Sequence, residues 1–389
     1  MIAEFETWKI GPGSPTTEAL RALRAVEAEH SAPLVLGVAP VARGNPYQMQ
    51  LYRSFANEGI AVTPVTNPWD FGQLADIVSM APVAVHLHWL SFVLAKARDR
   101  KEGRELVDRF ARELESYSTR GGRLVWTVHN VLPHDTLFPE LEIELRHMVS
   151  GTADVIHLMS PSSVPLVAET ARIDPAKVVY APIPNYRGCY PDNVSRQEAR
   201  TTLGIEPDEL VLVLFGALKP YKGLASLLAA FNAARGTTSR RLRLLVAGAP
   251  DEHPNTRAFV EACTLHADVL IAARKIPTEH VQYFMRAADV GLATYEGALN
   301  SSAIMLYETF GLPVVVPDVA NLRDALCSGD HLAYAPGEPG ALARALTDAE
   351  GLATKATRAA VSEHIREFDP QRVSASFARE LRARLLSVA

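Results

Sequence analysis

The stretch Tyr295–Asp318, YEGALNSSAIMLYETFGLPVVVPD, predicts a loop, a helix and a buried strand in immediate succession. The loop ends in Asn300-Ser301-Ser302, and these side chains suit a first helical turn because they accept hydrogen bonds from backbone N–H groups without helical partners. The helix ends at Gly311-Leu312-Pro313, since glycine adopts the left-handed cap and proline cannot continue a helix. The run Val314–Val316 that follows is typical of a strand buried on both faces.

The start of this helix is an expected anion site. Its unpaired N–H groups and the helix dipole both favour negative charge. Glu308 lies two turns further along, and its carboxylate can accept hydrogen bonds from the hydroxyls of a sugar or a ribose. An anion site followed by such a carboxylate fits a diphosphate joined to a ribose, which is the chemistry of a nucleotide-sugar.

A second strand, loop and helix start is predicted upstream by Val211–Gly223, VLVLFGALKPYKG. Gly216 has no side chain, which allows a ligand to approach the backbone. Lys219 and Lys222 follow just before the helix, and two ammonium groups beside a helix N-terminus suit a diphosphate. Ordinary surface lysines on a solvated loop are the alternative, and the downstream stretch favours the binding site.

The length and composition of the sequence limit the kinds of protein that it can encode. A chain of 389 residues predicts more than one domain, and its hydrophobic content of 48% fits a globular enzyme. The net charge of −5 is spread over both halves, which argues against a nucleic-acid partner. Three unevenly spaced cysteines fit a reducing compartment. Since no signal peptide and no apolar run of roughly 18 residues is recognised, we expect a cytoplasmic protein.

A basic segment leaves a membrane contact open. Lys96–Arg104 carries five basic side chains interleaved with acidic ones, within a predicted helical region over Phe92–Thr119. The acids favour an ordinary solvated face. A peripheral contact with the inner face of a membrane is the alternative.

Short apolar runs alternate with helical patterns along the chain, which indicates βαβ units and parallel sheets. Strands are predicted at Pro33–Val41, Ile60–Val65, Pro82–His88, Arg123–His129, Ala153–Met159, Val178–Ile183, Glu209–Gly216, Arg243–Gly248, Val269–Ala272, Val290–Ala293 and Pro313–Val316. Helices are predicted at Pro15–Glu29, Pro46–Asn57, around Pro139–Gly151 and from Gly340 to the end. Pro182–Gly188 is rich in proline and glycine and predicts a linker. We therefore expect an α/β protein with two doubly wound domains facing each other across a cleft, and ligands at the carboxyl ends of the strands.

Several motifs in this order resemble the family 4-type glycosyltransferases of the GT-B fold. They are F-G-x-x-K-P-Y-K-G at 215–223, a strand ending in Gly248, A-A-D-V at 287–290 and the stretch 295–318. In the first half, Asn45-Pro46-Tyr47, His88-Trp89-Leu90, TVHNVLPH at 127–134 and the segment 185–191 resemble the bacterial exopolysaccharide-type branch. The resemblance extends over about residues 33–345.

The resemblance implies an organisation and an activity. Residues 1–185 would form a Rossmann-like acceptor domain, residues 186–365 a Rossmann-like donor domain, and residues 366–389 a helix crossing back to the first. A sugar would pass from a UDP- or GDP-linked donor to the hydroxyl of a carbohydrate, lipid-linked or small-molecule acceptor. The sequence has no Asp-x-Asp motif after a strand, so we expect a metal-independent enzyme without a cofactor.

The resemblance also assigns donor-side roles. Lys219 and Lys222 would neutralise the diphosphate, and Gly216 would let it lie on the backbone. Ser301 and Ser302 would offer hydroxyls and N–H groups at the helix start.

Three further residues complete the implied donor site. Glu308 would hold the ribose hydroxyls, and Ile276 would meet the nucleobase through its backbone. Asn300 lies eight residues before Glu308, where the family carries a sugar-facing glutamate. The amide can hydrogen-bond a hydroxyl, but it cannot stabilise a cationic sugar by charge.

In the first domain, Asn45, Tyr47, His88 and Trp89 are implied to contact the acceptor. For Trp89, stacking on the acceptor and packing in the core both stay open. His86 and His88 lie on one face of a strand, but no third metal ligand follows at a telling spacing.

The catalytic candidates lie on the loop after a strand, where His129, His134 and Asp135 follow one another closely. Such a cluster at a strand end indicates a site role. In an inverting transfer His134 or Asp135 would take the proton of the acceptor hydroxyl. In a retaining transfer the departing phosphate would take that proton, and His129 would position the donor sugar. The sequence leaves both outcomes open.

Two other functions stay open at this level. One is a nucleotide-sugar epimerase on the same fold, which needs no acceptor. The other is a non-catalytic protein that binds a sugar nucleotide as a partner subunit, which Asn300 in place of glutamate would favour.

Overall fold

The computed structural model describes residues 15–27, 33–42, 44–77, 81–133, 136–295, 297–326 and 329–387. The chain divides into two compact units, residues 1–184 with 370–389 and residues 185–369. Each unit contains a six-stranded parallel sheet with an apolar core of its own. Within the ranges given above, no helix is both long enough and apolar enough to cross a membrane.

The first unit has the strand order β2-β1-β3-β4-β5-β6. The strands are β1 Leu34–Ala39, β2 Ile60–Pro64, β3 Val83–Leu87, β4 Arg123–Thr127, β5 Val155–Leu158 and β6 Val178–Tyr180. The helices are α1 Pro15–Glu27, α2 Pro46–Leu51, α3 Leu74–Ile77, α4 Arg100–Thr119, α5 Pro139–Thr152, α6 Val164–Val167 and, at the other end of the chain, α15 Pro370–Leu386. The register pairs Leu36 of β1 with Val62 of β2 and Ala84 of β3.

One face of this sheet is covered by the last helix. Phe377 and Leu381 of α15 pack with Leu36 and Phe55 in one cluster of buried residues. Ser374 adds a polar contact, because its Oγ accepts a 2.8 Å hydrogen bond from the backbone N–H of Ser54. Each fully buried Phe or Leu side chain stabilises the fold by about 1.5–3 kcal/mol, so α15 is an integral part of the first unit.

The second unit has the strand order β12-β11-β10-β7-β8-β9. The strands are β7 Leu210–Phe215, β8 Leu242–Ala247, β9 Val269–Ala272, β10 Val290–Leu292, β11 Val314–Pro317 and β12 His331–Tyr334. The helices are α7 Arg196–Leu203, α8 Leu224–Ala234, α9 Pro254–Thr264, α10 Val281–Ala287, α11 Ser302–Thr309, α12 Ala320–Arg323, α13 Ala341–Asp348 and α14 Lys355–His364.

Buried charges also hold the second unit together. Asp289 precedes β10, and its carboxylate accepts hydrogen bonds from Arg196 at 2.6 Å, from Arg200 at 2.8 Å and from the N–H of Val211 at 2.9 Å. Arg200 is itself buried and donates to three backbone carbonyls before β7. The pair therefore ties α7 to the starts of β7 and β10.

The α/β class, the parallel sheets and every predicted strand are confirmed. The expected helix over Phe92–Thr119 is wrong at its start, because α4 begins at Arg100 and is capped by Asp99, whose side chain accepts from the N–H of Glu102. The helix expected at Pro46–Asn57 ends at Leu51. For the helix expected at Pro15–Glu29, the last two residues lie outside the described residues. The sequence did not predict β12, a short and half-exposed strand at the sheet edge.

Candidate functional site

Lys222 is a buried ammonium at the carboxyl edge of the second sheet. The chain leaves β7 at Phe215, forms a 3₁₀ turn over Pro220–Lys222 and enters α8. The Lys222 side chain folds back, and its Nζ donates a 2.9 Å hydrogen bond to the carbonyl of Phe215. Burial lowers the pKa of Lys222 to about 8. The group is therefore a cation at neutral pH, held by one carbonyl at the edge where α/β sheets bind ligands.

Two glycines make this arrangement possible. Gly216 has φ +97°, and a Cβ there would lie 3.1 Å from the Lys222 Nζ, so the missing side chain gives room to the ammonium. Gly248 follows β8, and a Cβ there would lie 2.0 Å from the carbonyl oxygen of Gly216. Only glycine fits both positions, which lets the ends of β7 and β8 approach closely.

The start of α11 lies at the same edge of the sheet. Tyr307 of α11 accepts a 2.8 Å hydrogen bond from the N–H of Phe215 and donates to the carbonyl of Leu292, at the ends of β7 and β10. The Ser301 Oγ caps α11 by accepting from the N–H of Ile304 at 3.2 Å. Ser301 is buried, whereas Ser302 is exposed in the first turn. Of the two serines, Ser302 is the one whose side chain a ligand can reach.

The other predicted donor residues follow neighbouring strand ends. Asn300, half-buried, immediately precedes the Ser301 cap. Lys219, also half-buried, precedes the 3₁₀ turn that carries Lys222. Ile276 is half-buried on the loop after β9, two strands away from β7 in the sheet. The carboxyl edge of the second sheet thus carries Gly216, Lys219, Lys222, Ile276, Asn300, Ser301 and Ser302.

Glu308 is not brought to this edge, and its expected position is corrected here. The side chain is completely buried, and neither carboxylate oxygen has a hydrogen-bond partner among the described residues. Burial, with the charge of Asp330 as a smaller cause, raises the pKa of Glu308 well above its usual range. Asp330 immediately precedes β12, and its carbonyl accepts from Val314, the first residue of β11. Glu308 therefore lies toward the amino ends of these strands, because the far end of α11 leads back to them.

The second unit also contains a cavity of about 600 Å³. It is lined by α8, α13 and the segments after β10 and β12, including Ser226, Tyr295, Tyr334 and Glu338. None of the residues predicted for the donor site lines it.

In the first unit, the strand ends of β3 and β4 bring four of the predicted side chains together. His88 Nδ1 lies 2.9 Å from His129 Nε2. The Trp89 ring stacks on the His129 ring, with centroids 4.3 Å apart and planes 19° apart. The Tyr47 ring meets His129 edge-on at 5.5 Å. Tyr47, His88, Trp89 and His129 are thus one aromatic cluster at the carboxyl edge of the first sheet.

The contacts correct the expectation for His88, whereas that for Asn45 stays a prediction. His88 is buried, with Nδ1 facing His129 and Nε2 at 2.5 Å from the hydroxyl of Tyr52. Both ring nitrogens are engaged inside the unit, so His88 does not face an acceptor. The Asn45 amide oxygen caps α2 by accepting from the N–H of Tyr47 at 2.9 Å. His134 and Asp135 lie outside the described residues.

A buried charged pair beside the aromatic cluster escaped the sequence prediction. Glu142 and Arg146 on α5 line a small cavity of about 40 Å³ with Trp89, His129 and Asn130. Both are buried, and Glu142 Oε2 and Arg146 Nε have no hydrogen-bond partner among the described residues. Burial lowers the pKa of Arg146 to about 10 and raises that of Glu142. The helical spacing could have indicated that both are buried. Positions 142 and 146 lie beside positions 141, 145 and 149, which belong to the buried face of α5.

The arrangement offers hydrogen bonds to a polar ligand. Glu142 can accept from a hydroxyl and Arg146 can donate to one, while Trp89 presents an indole next to them. The described residues contain no group of three or more His, Cys, Asp or Glu that could hold a metal ion.

Comparison with known protein families gives one match. Residues 209–349 match the family described as "Glycosyl transferases group 1". This range begins just before β7 and ends after α13, so it includes Gly216, Lys222 and the whole stretch 295–318. A search of curated proteins found no match.

Solved structures share the fold over almost the whole chain. Anabaena HepE in complex with UDP and glucose matches with a TM-score of 0.63 and 14% identity, covering 90% of this chain and 100% of that one. Sucrose-phosphate synthase from Thermosynechococcus elongatus matches with a TM-score of 0.65 and 15% identity, covering 92% and 100%. A structure described as trehalose-6-phosphate from E. coli bound with UDP-2-fluoro glucose matches with a TM-score of 0.56 and 14% identity, covering 96% of each chain. The chain thus has the GT-B fold of these structures, and residues 209–349 of its second unit match the group 1 glycosyltransferase family.

Proposed function

We propose that this chain transfers a sugar from a nucleoside-diphosphate donor to an acceptor hydroxyl, that the nucleoside is uridine, and that no metal ion takes part. The observation that carries the proposal is the ammonium of Lys222 beside Gly216, inside the range that matches the group 1 domain. The structures of HepE and of the E. coli protein contain UDP or a UDP-sugar, which supports uridine.

On the donor side, the proposal uses the residues at the carboxyl edge of the second sheet. Lys222 and Lys219 would neutralise the diphosphate, in place of a divalent cation. Ser302 and the N–H groups at the start of α11 would bind phosphate oxygens. Ile276, on the loop after β9, would meet the uracil. Glu308 is left out, because it is buried away from this edge.

On the acceptor side, the proposal uses the first unit. Trp89, with the pair Glu142 and Arg146, would contact hydroxyl groups of a carbohydrate. His129 would accept a hydrogen bond or a proton from a hydroxyl in this region. The acceptor class is a carbohydrate, free or lipid-linked, because stacking on an indole and paired hydrogen bonds suit a sugar ring.

The first test is a thermal-shift panel of UDP, GDP, ADP and dTDP, repeated with a chelator. We expect UDP to raise Tm with and without the chelator, since a ligand at a hundredfold excess over Kd adds about 2.7 kcal/mol to the free energy of unfolding. Lys222→Met should weaken UDP binding at least about tenfold, because it removes a charge-assisted contact to phosphate. Lys355→Met, an exposed lysine at the start of α14, is the matched control and should bind UDP normally.

Two results would overturn this proposal. One is a Tm that no nucleoside diphosphate raises, and the other is normal UDP binding by Lys222→Met. NMR of the donor incubated alone also separates the alternatives, since an epimerase would produce a new nucleotide-sugar without any acceptor. A UDP-dependent shift that vanishes with the chelator would contradict metal independence alone.

The acceptor side has its own test. Glu142→Gln and Arg146→Met should lower turnover of the donor, while the UDP-induced shift in Tm stays unchanged because the proposal assigns nucleotide binding to the second unit. Glu140→Gln, an exposed glutamate in the first turn of α5, is the control and should keep wild-type turnover. Wild-type turnover in both Glu142→Gln and Arg146→Met would remove the pair from the site.

A further inference from the structure

A continuous series of hydrogen bonds runs through the interior of the first unit, from the aromatic cluster to a backbone carbonyl. His129 contacts His88 at 2.9 Å, and His88 contacts the Tyr52 hydroxyl at 2.5 Å. The same hydroxyl lies 2.7 Å from His86 Nδ1.

The hydrogen bonds continue across the neighbouring strands β4 and β5 to the end of β6. His86 Nε2 lies 2.6 Å from the Thr127 hydroxyl, which lies 2.9 Å from His157 Nδ1. His157 Nε2 lies 2.9 Å from the carbonyl oxygen of Ala181. We call this set of hydrogen-bonded side chains (His129, His88, Tyr52, His86, Thr127 and His157) the relay. Apart from His129, all of them are buried.

The carbonyl of Ala181 fixes the direction of the first bond. A carbonyl only accepts, so His157 must carry its proton on Nε2. Burial lowers the pKa of His157 to about 4, so the ring is neutral at physiological pH and its Nδ1 has no proton. Nδ1 can therefore only accept, and the donor is the hydroxyl of Thr127.

Each further bond follows from the one before. The Thr127 hydroxyl donates its single proton to His157 Nδ1, so its oxygen accepts from Nε2–H of His86. Desolvation lowers the pKa of His86 and His88 well below the usual range, so both rings are neutral. His86 Nδ1 then accepts from the Tyr52 hydroxyl, and the Tyr52 oxygen accepts from Nε2–H of His88.

The last bond determines the state of His129. His88 Nδ1 has no proton and accepts, so His129 must donate from Nε2. We propose that Tyr52, His86, His88, Thr127 and His157 are positioning residues, which hold His129 with its proton on Nε2 and its lone pair on Nδ1. A fixed tautomer makes Nδ1 the atom that accepts a hydrogen bond or a proton from a substrate hydroxyl.

The tautomer follows from the contacts together with the neutral state of the buried rings, whereas its use in catalysis rests on the proposed function. Among the described residues, the charged and aromatic groups around His129 include Arg146 from α5, His157 from β5, His88 and Trp89 from the end of β3, and Tyr47 from α2. Burial lowers the pKa of His129 well below its usual range, with His157 and the positive charge of Arg146 as smaller causes. The His129 ring is therefore neutral at physiological pH.

Nitrogen-15 NMR of the histidine rings tests the proposal without any ligand. Long-range proton–nitrogen spectra distinguish a protonated from an unprotonated ring nitrogen, and they are recorded above the ordinary histidine pKa of about 6.5. In the wild type we expect His86, His88, His129 and His157 all to carry the proton on Nε2. A proton on Nδ1 of any of the four neutral rings would overturn the proposal, and this result needs no variant.

A single substitution tests the direction of the relay. Tyr52→Phe breaks it between His86 and His88, so His88 and His129 should populate both tautomers while His86 and His157, still anchored by Ala181, stay protonated on Nε2. Tyr117→Phe is the matched control, because it removes another buried hydroxyl of the same unit that bonds to the carbonyl of Arg123. Unchanged tautomers in a folded Tyr52→Phe protein would contradict the relay.

Kinetics connect the relay to turnover. Tyr52→Phe should lower kcat at least about tenfold, within the range of general acid–base effects, and leave the UDP-induced shift in Tm unchanged. Tyr117→Phe should keep wild-type kcat. A disturbed His129 tautomer with normal kcat would overturn the positioning role. A wild-type protein that does not bind UDP would instead count against the proposed function.

Discussion

At the scale of single residues, Lys222 and Glu308 are two buried ionisable groups of the second unit, and they differ in their hydrogen-bond partners. Lys222 donates to the carbonyl of Phe215 and remains cationic at neutral pH. Glu308 has no hydrogen-bond partner in the described part of the chain, and its pKa is raised well above the usual range. Burying an ionised carboxylate without a partner is costly, so the folded protein favours the protonated acid.

Glu308→Gln should therefore stabilise the protein at neutral pH. A folded-state pKa above the unfolded value means that the folded state binds the proton more tightly. The stability of the wild type is then greatest below the unfolded glutamate pKa of about 4.3, and it falls as pH rises from there toward the folded pKa. Glutamine imitates the protonated acid and removes this loss. We expect a gain of about 1 kcal/mol or more at pH 7.5 in urea unfolding, shrinking toward pH 4.5.

Glu261→Gln, an exposed glutamate of α9, is the control and should change the free energy of unfolding by less than about 0.5 kcal/mol at either pH. An equal effect of Glu308→Gln at both pH values would contradict the raised pKa. A destabilising effect at pH 7.5 would show that the carboxylate has a partner.

At the scale of elements, α11 joins the stability of the second unit to its candidate site. Its cap, Ser301, accepts from the N–H of Ile304 and contacts the Tyr295 hydroxyl at 2.8 Å. Its Tyr307 fixes the ends of β7 and β10 through two hydrogen bonds. The next residue, Ser302, is exposed. The two neighbouring serines thus differ, because Ser301 is a buried cap and Ser302 is exposed.

The two serines should separate stability from binding. Ser301→Ala should lower the free energy of unfolding by about 1–2 kcal/mol, the usual cost of losing a side-chain cap. Ser302→Ala should change stability by less than about 0.5 kcal/mol but weaken UDP binding, because its hydroxyl is proposed to reach the phosphate. Urea unfolding and UDP titration of both variants check this, and the reverse pattern would contradict the assignment.

At the scale of the whole molecule, the two units have separate cores and separate sets of buried charges. Asp289 neutralises the buried Arg200, and the partners given above for this pair all belong to the second unit. All four tryptophans of the sequence lie in residues 1–184. Tryptophan fluorescence therefore reports on the first unit, whereas far-ultraviolet circular dichroism reports on both.

Asp289→Asn should make the unfolding of the two units separable. Removing one partner of a buried ion pair costs about 3–5 kcal/mol, and this cost is confined to the second unit. In urea, circular dichroism should show an early transition that tryptophan fluorescence does not follow. Asp192→Asn, which removes a more exposed ion pair with Arg286 in the same unit, is the control. Coincident transitions in Asp289→Asn would show that the units unfold as one.

The sequence predicted the parts of the fold that depend on local pattern. Runs such as Leu210–Phe215 are apolar on both faces and short, which is typical of central strands, and glycine and proline marked the end of α11. The edge strand β12 has a half-exposed, mixed pattern that carries no such signal. The start of α4 was missed because the residues before Asp99 form turns with helix-like composition.

The sequence predicted the residues of the candidate site only where they lie on a loop that directly follows a strand. Lys222 and His129 are of this kind, and both lie at a carboxyl edge. Glu308 was misplaced because two helical turns carry a side chain about 10 Å along the axis, away from the edge where the helix starts. Glu142 and Arg146 lie in a helix whose packing decides which face is buried, and this depends on contacts distant in sequence.

The relay of the first unit also has an electrical polarity. Its six hydrogen bonds all donate in the same direction, from His129 toward Ala181, so their bond dipoles add as peptide dipoles add along a helix. The negative end of this side-chain dipole is Nδ1 of His129. It therefore attracts hydrogen-bond donors and positive charge. A row of neutral side chains thus gives this edge of the first unit a partial negative charge without an ionised carboxylate.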